Sequence, residues 1–138
     1  MAAFIGSALD IKWVHSAGTA SLNGDFRSFS YTPSVDLVDQ TAGNDTNKTY
    51  LTALKDGRAS LSCLLQAGTA AGGTAMTAVL TEGSSGTIIW SPEGTAATKP
   101  KYTMAAIAMG AASTVPYAGA VEITCDFQQN SARTEGTN

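Results

Sequence analysis

Charge is the scarcest ingredient of this 138-residue sequence. Asp, Glu, Lys and Arg make up 14% of it, against roughly a quarter in an ordinary globular domain. A surface so poor in charge is expected to meet something other than water over much of its area. The eight basic residues are scattered as Lys12, Arg27, Lys48, Lys55, Arg58, Lys99, Lys101 and Arg133 among eleven acids, giving a net charge of −3. No basic stripe exists to neutralise a run of phosphates, which argues against a nucleic-acid grip. Histidine occurs once, as His15, with no Gly-x-Ser-x-Gly or similar signature, so no enzyme and no cofactor are read from the chain.

Other shortages narrow the choice further. The only cysteines, Cys63 in "SLSCLLQ" and Cys125 in "VEITCDFQ", lack the spacing of a zinc site. Each alternates with apolar neighbours and reads as a small buried hydrophobe, with a disulfide or a reactive thiol as the alternative. The longest apolar run, "MAAIAMGAA" at 104–112, falls far short of the roughly 20 residues that span a bilayer. The opening "MAAFIGSALD" has no Lys or Arg before its apolar part and no Ala-x-Ala site. No signal peptide is read there, and the chain is expected to be soluble and unexported, with no membrane partner.

What is abundant is period-two alternation. In "RSFSYTPSVDL" the positions Phe29, Tyr31, Pro33, Val35 and Leu37 are apolar and those between them polar, the pattern of a half-buried strand. Pro33 lacks the amide hydrogen of a central ladder, so this strand belongs at an edge or carries a bulge. An open edge invites a partner. "DIKWVHS", "RASLSCLLQ", "TIIWS" and "AVEITCDFQ" read as further strands, and Asn23-Gly24 as a hairpin turn. "KYTMAAIAMG" has helix-forming composition at a strand position. Met76, Val79 and Leu80, behind a Thr74 cap and ahead of Gly83, suggest one short helix. The expectation is a single mainly β domain over 1–138, an antiparallel β-sandwich or barrel with one short flanking α-helix. Residues 1–9 form an N-terminal arm, and residues 129–138 a polar tail, mobile unless a neighbour orders it.

Two features could carry function. In "TAGNDTNKTYLTALKDG", residues 41–57, a long loop gathers Asp45, Lys48, Lys55 and Asp56 around Tyr50, Leu51 and Leu54. Its oxygen-rich start lacks the Asp-x-Asp-x-Asp-Gly spacing and distal Glu of a calcium loop, so no metal is read there. The two Asn-x-Thr matches carry little weight without an export signal. The polar face of "VEITCDF" carries Glu122, Thr124 and Asp126, either as a plain solvated face or as an acidic face kept clear of cations so that a polyanion is repelled. Trp13 and Trp90 are expected in the core.

Taken in order, "SVDLVDQTAGNDTNKTYLTALKDGRASLSCLL", "IIWSPEGT", "KYTMAAIAMG" and "AVEITCDFQQNSARTEGT" resemble the major tail tube proteins of long-tailed bacteriophages, from about Asp10 to the end. The run at 104–112 departs from that pattern in having few β-branched residues, Ile107 alone. The resemblance implies an antiparallel β-sandwich with a flanking helix, six copies to a ring, and rings stacked into a tube that conducts double-stranded DNA. It implies a structural, non-catalytic virion protein, located in the tail, assembled in the host bacterial cytoplasm and partnered by other tail proteins. On the same footing, Asp45, Lys48, Tyr50, Leu51, Leu54, Lys55 and Asp56 are expected at an inter-subunit loop. Asp36, Glu122, Thr124 and Asp126 are expected to face the lumen, where acidic groups repel a duplex over about 8 Å at roughly 0.15 M salt. Ring closure also removes the open strand edges. The competing readings are a capsid decoration or tail terminator protein, and a carbohydrate-binding β-sandwich module.

Overall fold

The computed structural model describes residues 6–16, 18–22, 26–65, 76 and 78–138. A 3-10 turn at Gly6–Ala8 leads into eight strands: β1 (Asp10–His15), β2 (Gly18–Ser21), β3 (Phe26–Asp39), β4 (Tyr50–Leu64), β5 (Ser85–Ser91), β6 (Pro100–Thr114), β7 (Glu122–Gln129) and β8 (Thr134–Thr137). They make one antiparallel sheet in the order β2-β1-β5-β6-β7-β4-β3, with β8 added to β6. The Asn23-Gly24 turn lies outside the described residues, as does most of the expected helix. Met76, Ala78 and Val79 are helical, and the Leu80 amide donates to the Met76 carbonyl at 2.9 Å. Of the expected N-terminal arm, Leu9 is buried in the core, so it belongs to the body.

The sheet curls until its two halves face each other. Phe29 and Tyr31 on β3 lie 5.4 and 5.3 Å from the Trp90 ring on β5, although the two strands are far apart in the sheet order. Trp13 on β1 likewise meets Phe127 on β7 at 5.3 Å. Alternation dictates which side chains fill the space between: Ile11 and Trp13 from β1, Leu61 and Cys63 from β4, and Ile123, Cys125 and Phe127 from β7 are all buried. Both cysteines are buried thiols outside any disulfide, as small hydrophobes would be.

β6 resolves the ambiguous "KYTMAAIAMG" as strand. Its residues Tyr102–Ile107 pair with β5, and Ala106–Thr114 pair with β7; two flanking ladders outweigh the helical preference of Ala and Met. The pairing slips between Ala108 and Ala111, and Gly110 takes φ 101 there. Positive φ is strained for any residue with a Cβ, so the glycine is what lets the bulge form.

The Cys125 thiol lies against this bulge. Burial pushes its pKa from 9.0 up to about 11, opposed in part by hydrogen bonds with the Met109 and Gly110 backbone. Between those two values the unfolded thiol has ionised and the folded one has not, so the unfolded chain binds fewer protons. Stability should therefore fall as pH rises through that window. Urea midpoints measured across it should decline, and the decline should be shallower in Cys125→Ala.

The polar tail is not loose. Thr134–Thr137 pairs with Pro100–Thr103 as β8, and Asn138 bonds the Lys99 carbonyl through its backbone amide at 2.9 Å and its side-chain amide at 3.1 Å. The Arg133 guanidinium sits 5.1 Å from the Tyr31 ring and 5.2 Å from the Tyr102 ring. The ordering neighbour that the tail needed is β6 of its own chain.

Candidate assembly surface

β3 and β4 run for 14 and 15 residues, but β7 pairs with β4 only from Arg58 to Leu64. Among the described residues the remainder of the pair has no third strand, and it projects as an arm. Every residue from 34 to 56 is exposed, among them Val35, Leu37, Val38, Tyr50, Leu51 and, at 80%, Leu54. So many exposed large apolar side chains on one projecting arm mark an interaction site.

The expected long loop is thus mostly strand. Tyr50, Leu51, Leu54, Lys55 and Asp56 all lie on β4, and the connection shrinks to residues 40–49. Val38 pairs with Leu51 and Asp39 with Tyr50, while the register slips between Val35 and Leu37, where Ala53 and Leu54 stand opposite Asp36. Such a bulge twists and bends the arm. At the tip the Asp45 carboxylate accepts from the Ala42 amide at 2.7 Å, and the Asp45 amide donates to the Ala42 carbonyl at 3.0 Å. The Thr49 amide donates to Thr41 Oγ1 at 2.9 Å. Hydrogen bonds from the Thr41 side chain and backbone hold the Asp39 carboxyl below its ordinary value. Asp45 therefore shapes the turn, whereas Lys48 stands exposed beside it.

Asp56 also has work inside the chain. Its Oδ1 accepts from Gln128 Nε2 at 2.6 Å and from the Gly57 amide at 2.8 Å, tying the base of the arm to β7.

Among the described residues β3 pairs only with β4, and β2 only with β1, so the Pro33 strand is an edge strand, one of the two places, edge or bulge, that its missing amide allows. The face of β3, β4 and β7 opposite the core is rich in hydroxyls: Ser28, Ser30, Thr32 and Ser34 pair with Ser62, Ser60, Arg58 and Asp56. Glu122, Thr124 and Asp126 lie on this same face, Thr124 and Asp126 opposite Ser62 and Ser60. Asp36 does not join them; it sits at the arm's register shift, past the end of the β4–β7 ladder.

The face is not clear of cations. Arg27 reaches Glu122 Oε2 at 3.9 Å, Ser62 Oγ donates to the other oxygen of that carboxylate, and Arg58 stands opposite Gln128. Arg27 comes to this side because the β3 register shifts between Phe26 and Ser28. Asp56, Glu122 and Asp126 against Arg27 and Arg58 leave the face nearly neutral.

Among the described residues no cluster of three or more His, Cys, Asp or Glu is arranged to hold a metal, and no helix is long and apolar enough to cross a membrane. His15 is half-buried at the end of β1, paired with Gly18.

No protein-family model matches the chain, and no curated protein matches its sequence. Solved structures do match in shape. The SPP1 tail tube superposes with a TM-score of 0.78 over 99% of this chain and 80% of that one, at 11% identity. This chain has the tail tube fold. A chain of a native gene transfer agent virion gives a TM-score of 0.72 at 10% identity, covering 97% of this chain and 99% of that one. The cap of an anti-feeding prophage shares the tail tube fold at a TM-score of 0.67 and 12% identity, over 100% and 93% of the two chains.

Proposed function

We propose that the chain is a structural tail tube subunit whose copies close into six-membered rings that stack into a DNA-conducting tube. The observation that carries the reading is the near-complete superposition on the SPP1 tail tube, joined to outer strands that have an unpaired edge among the described residues and to an exposed apolar arm. The tail of an empty gene transfer agent particle with C6 symmetry, another structural neighbour, supports the six-fold count. A virion location and assembly in the bacterial cytoplasm follow from the same role, and catalysis has no part in it.

The arm residues Leu51, Leu54, Tyr50 and Lys48 supply the contact to adjacent copies, with Lys55 at its base, while Asp45 and Asp56 hold the arm in shape. The hydroxyl face with Thr124 and Asp126 lines the lumen. Its near-neutral charge, rather than a dense acidic lining, keeps a duplex from adhering, because no cation surplus is available for counterion release. Replacing Ser30 and Asp126 by Lys should leave tubes intact and slow genome delivery several-fold, read as ejection kinetics from variant particles. Unchanged kinetics would place the lumen on another face.

Negative-stain microscopy of concentrated protein tests the whole reading: stacked rings support it. Single rings that never stack favour the terminator role to which the anti-feeding prophage cap points. Persistent monomers at high concentration overturn both.

A further inference from the structure

The sheet has two unlike ends. β4 pairs with β7 from Arg58 opposite Gln128 to Leu64 opposite Glu122, so the arm leaves the sheet at the C-terminal end of β7. The turn joining β6 to β7, residues 115–121, lies at the N-terminal end. The eight residues of β7 separate the two by about 25 Å. That turn carries Val115, 71% exposed, and Tyr117, wholly exposed, with Leu65 partly exposed where β4 ends beside it. An aromatic held entirely in water on a loop tip contributes nothing to the fold of its own chain.

At the other end a cleft of about 840 Å³ opens between the base of the arm and the segment that leads into β8. Pro33, Val35 and Thr52 line it with Lys55, Ser131 and Arg133. Asp56 lines it too, and Arg133 is paired with Glu135 at 2.7 Å; an apolar wall edged by polar groups of both kinds suits a tyrosine, whose ring is apolar and whose hydroxyl both donates and accepts hydrogen bonds. A protruding aromatic at one end and a matching recess at the other is the arrangement a head-to-tail contact between identical copies needs, and such contacts repeat without limit along an axis.

We infer that the Val115–Tyr117 tip of one copy seats in the arm-base cleft of the next copy along the tube, making this the stacking contact between rings. The inference rests on the tube reading but names a contact that reading leaves open. Tyr117 is the anchor, Pro33 and Val35 form its wall, and Arg133, already held between Tyr31 and Tyr102, is presented rigidly at the rim.

The test uses full-length chains carrying Tyr117→Cys or Ser131→Cys, mixed, assembled and treated with a short bismaleimide. The native thiols are buried, so the new ones react first. Expected is a cross-linked dimer in the mixture, absent from either variant alone, and a ladder of higher multimers when both substitutions share one chain. In parallel, Tyr117→Ala should raise the protein concentration needed for tubes by about tenfold or more while thermal stability stays unchanged. Visible tubes with no cross-link between the two positions, or with Tyr117→Ala assembling like the native chain, overturn the stacking contact and leave the tube reading standing. Native protein that never assembles removes both.

Discussion

A chain carrying Leu51→Asp and Leu54→Asp will fold as well as the native protein and form no tubes at concentrations where the native protein is fully assembled. Leu51 is 57% and Leu54 80% exposed, so in the free subunit both side chains already sit largely in water. Substitutions at such positions typically shift folding stability by no more than about 0.5 kcal/mol. In an interface the balance changes. Burying a leucine contributes about 1.5–3 kcal/mol, and the aspartates would bring carboxylates to be desolvated without a designed partner. A loss of roughly 3–6 kcal/mol per arm corresponds to about two to four powers of ten in association, and every copy in a ring would suffer it. Sedimentation and negative-stain microscopy read the assembly, and a urea titration reads the fold. Native tube yield with both substitutions present would remove the arm from the interface. Asp56→Ala is a poorer probe, because it also deprives Gln128 and Gly57 of their shared acceptor and loosens the arm from within.

The arm also shows where sequence reading stops. Period-two alternation exists because one face of a strand is buried and the other is not, so β7 and the lower half of β3, with Phe29 and Tyr31 turned inward, were visible at once. Tyr50 to Asp56 has both faces in water; nothing there forces alternation, and its charges resembled a loop. β8 was invisible for the same reason: Thr134–Thr137 is exposed throughout and is held by its backbone ladder to β6 rather than by buried side chains. The cations on the hydroxyl face escaped for a different reason. Strand parity places Arg27 on the core side only if the register is unbroken, and the shift between Phe26 and Ser28 turns it toward Glu122. Pro33 was the opposite case, since a missing amide hydrogen is a local fact that no tertiary context can alter, and of the edge or bulge it allowed, the strand is at an edge among the described residues.

Gly86→Ala will destabilise the subunit by about 1–3 kcal/mol and lower its melting temperature by roughly 3–15 °C. A Cβ at this position would lie 2.6 Å from Trp13 Cζ2, 2.8 Å from Trp13 Cε2 and 2.6 Å from the Val14 carbonyl oxygen. Neither neighbour can yield: Val14 is locked into the β1–β5 ladder opposite Thr87, and the Trp13 ring is fully buried against Phe127. Against a total stability of about 5–15 kcal/mol for a domain of this kind, the loss is a sizeable fraction, and it should appear directly in urea or thermal unfolding. Pairing the change with Trp13→Phe separates the collision from any intrinsic effect of alanine in a strand. The smaller ring removes the two Trp13 contacts and leaves only the one with the Val14 carbonyl, so Gly86→Ala should cost less, though not nothing, in the Trp13→Phe background. Trp13→Phe itself should be milder than its lost volume suggests, because the buried indole Nε1–H has no hydrogen-bond partner among the described residues, and phenylalanine removes that unsatisfied donor. Additive costs in the double variant, or a Gly86→Ala protein as stable as the native one, would mean that the Trp13 ring does not pack over Gly86 on the neighbouring strand.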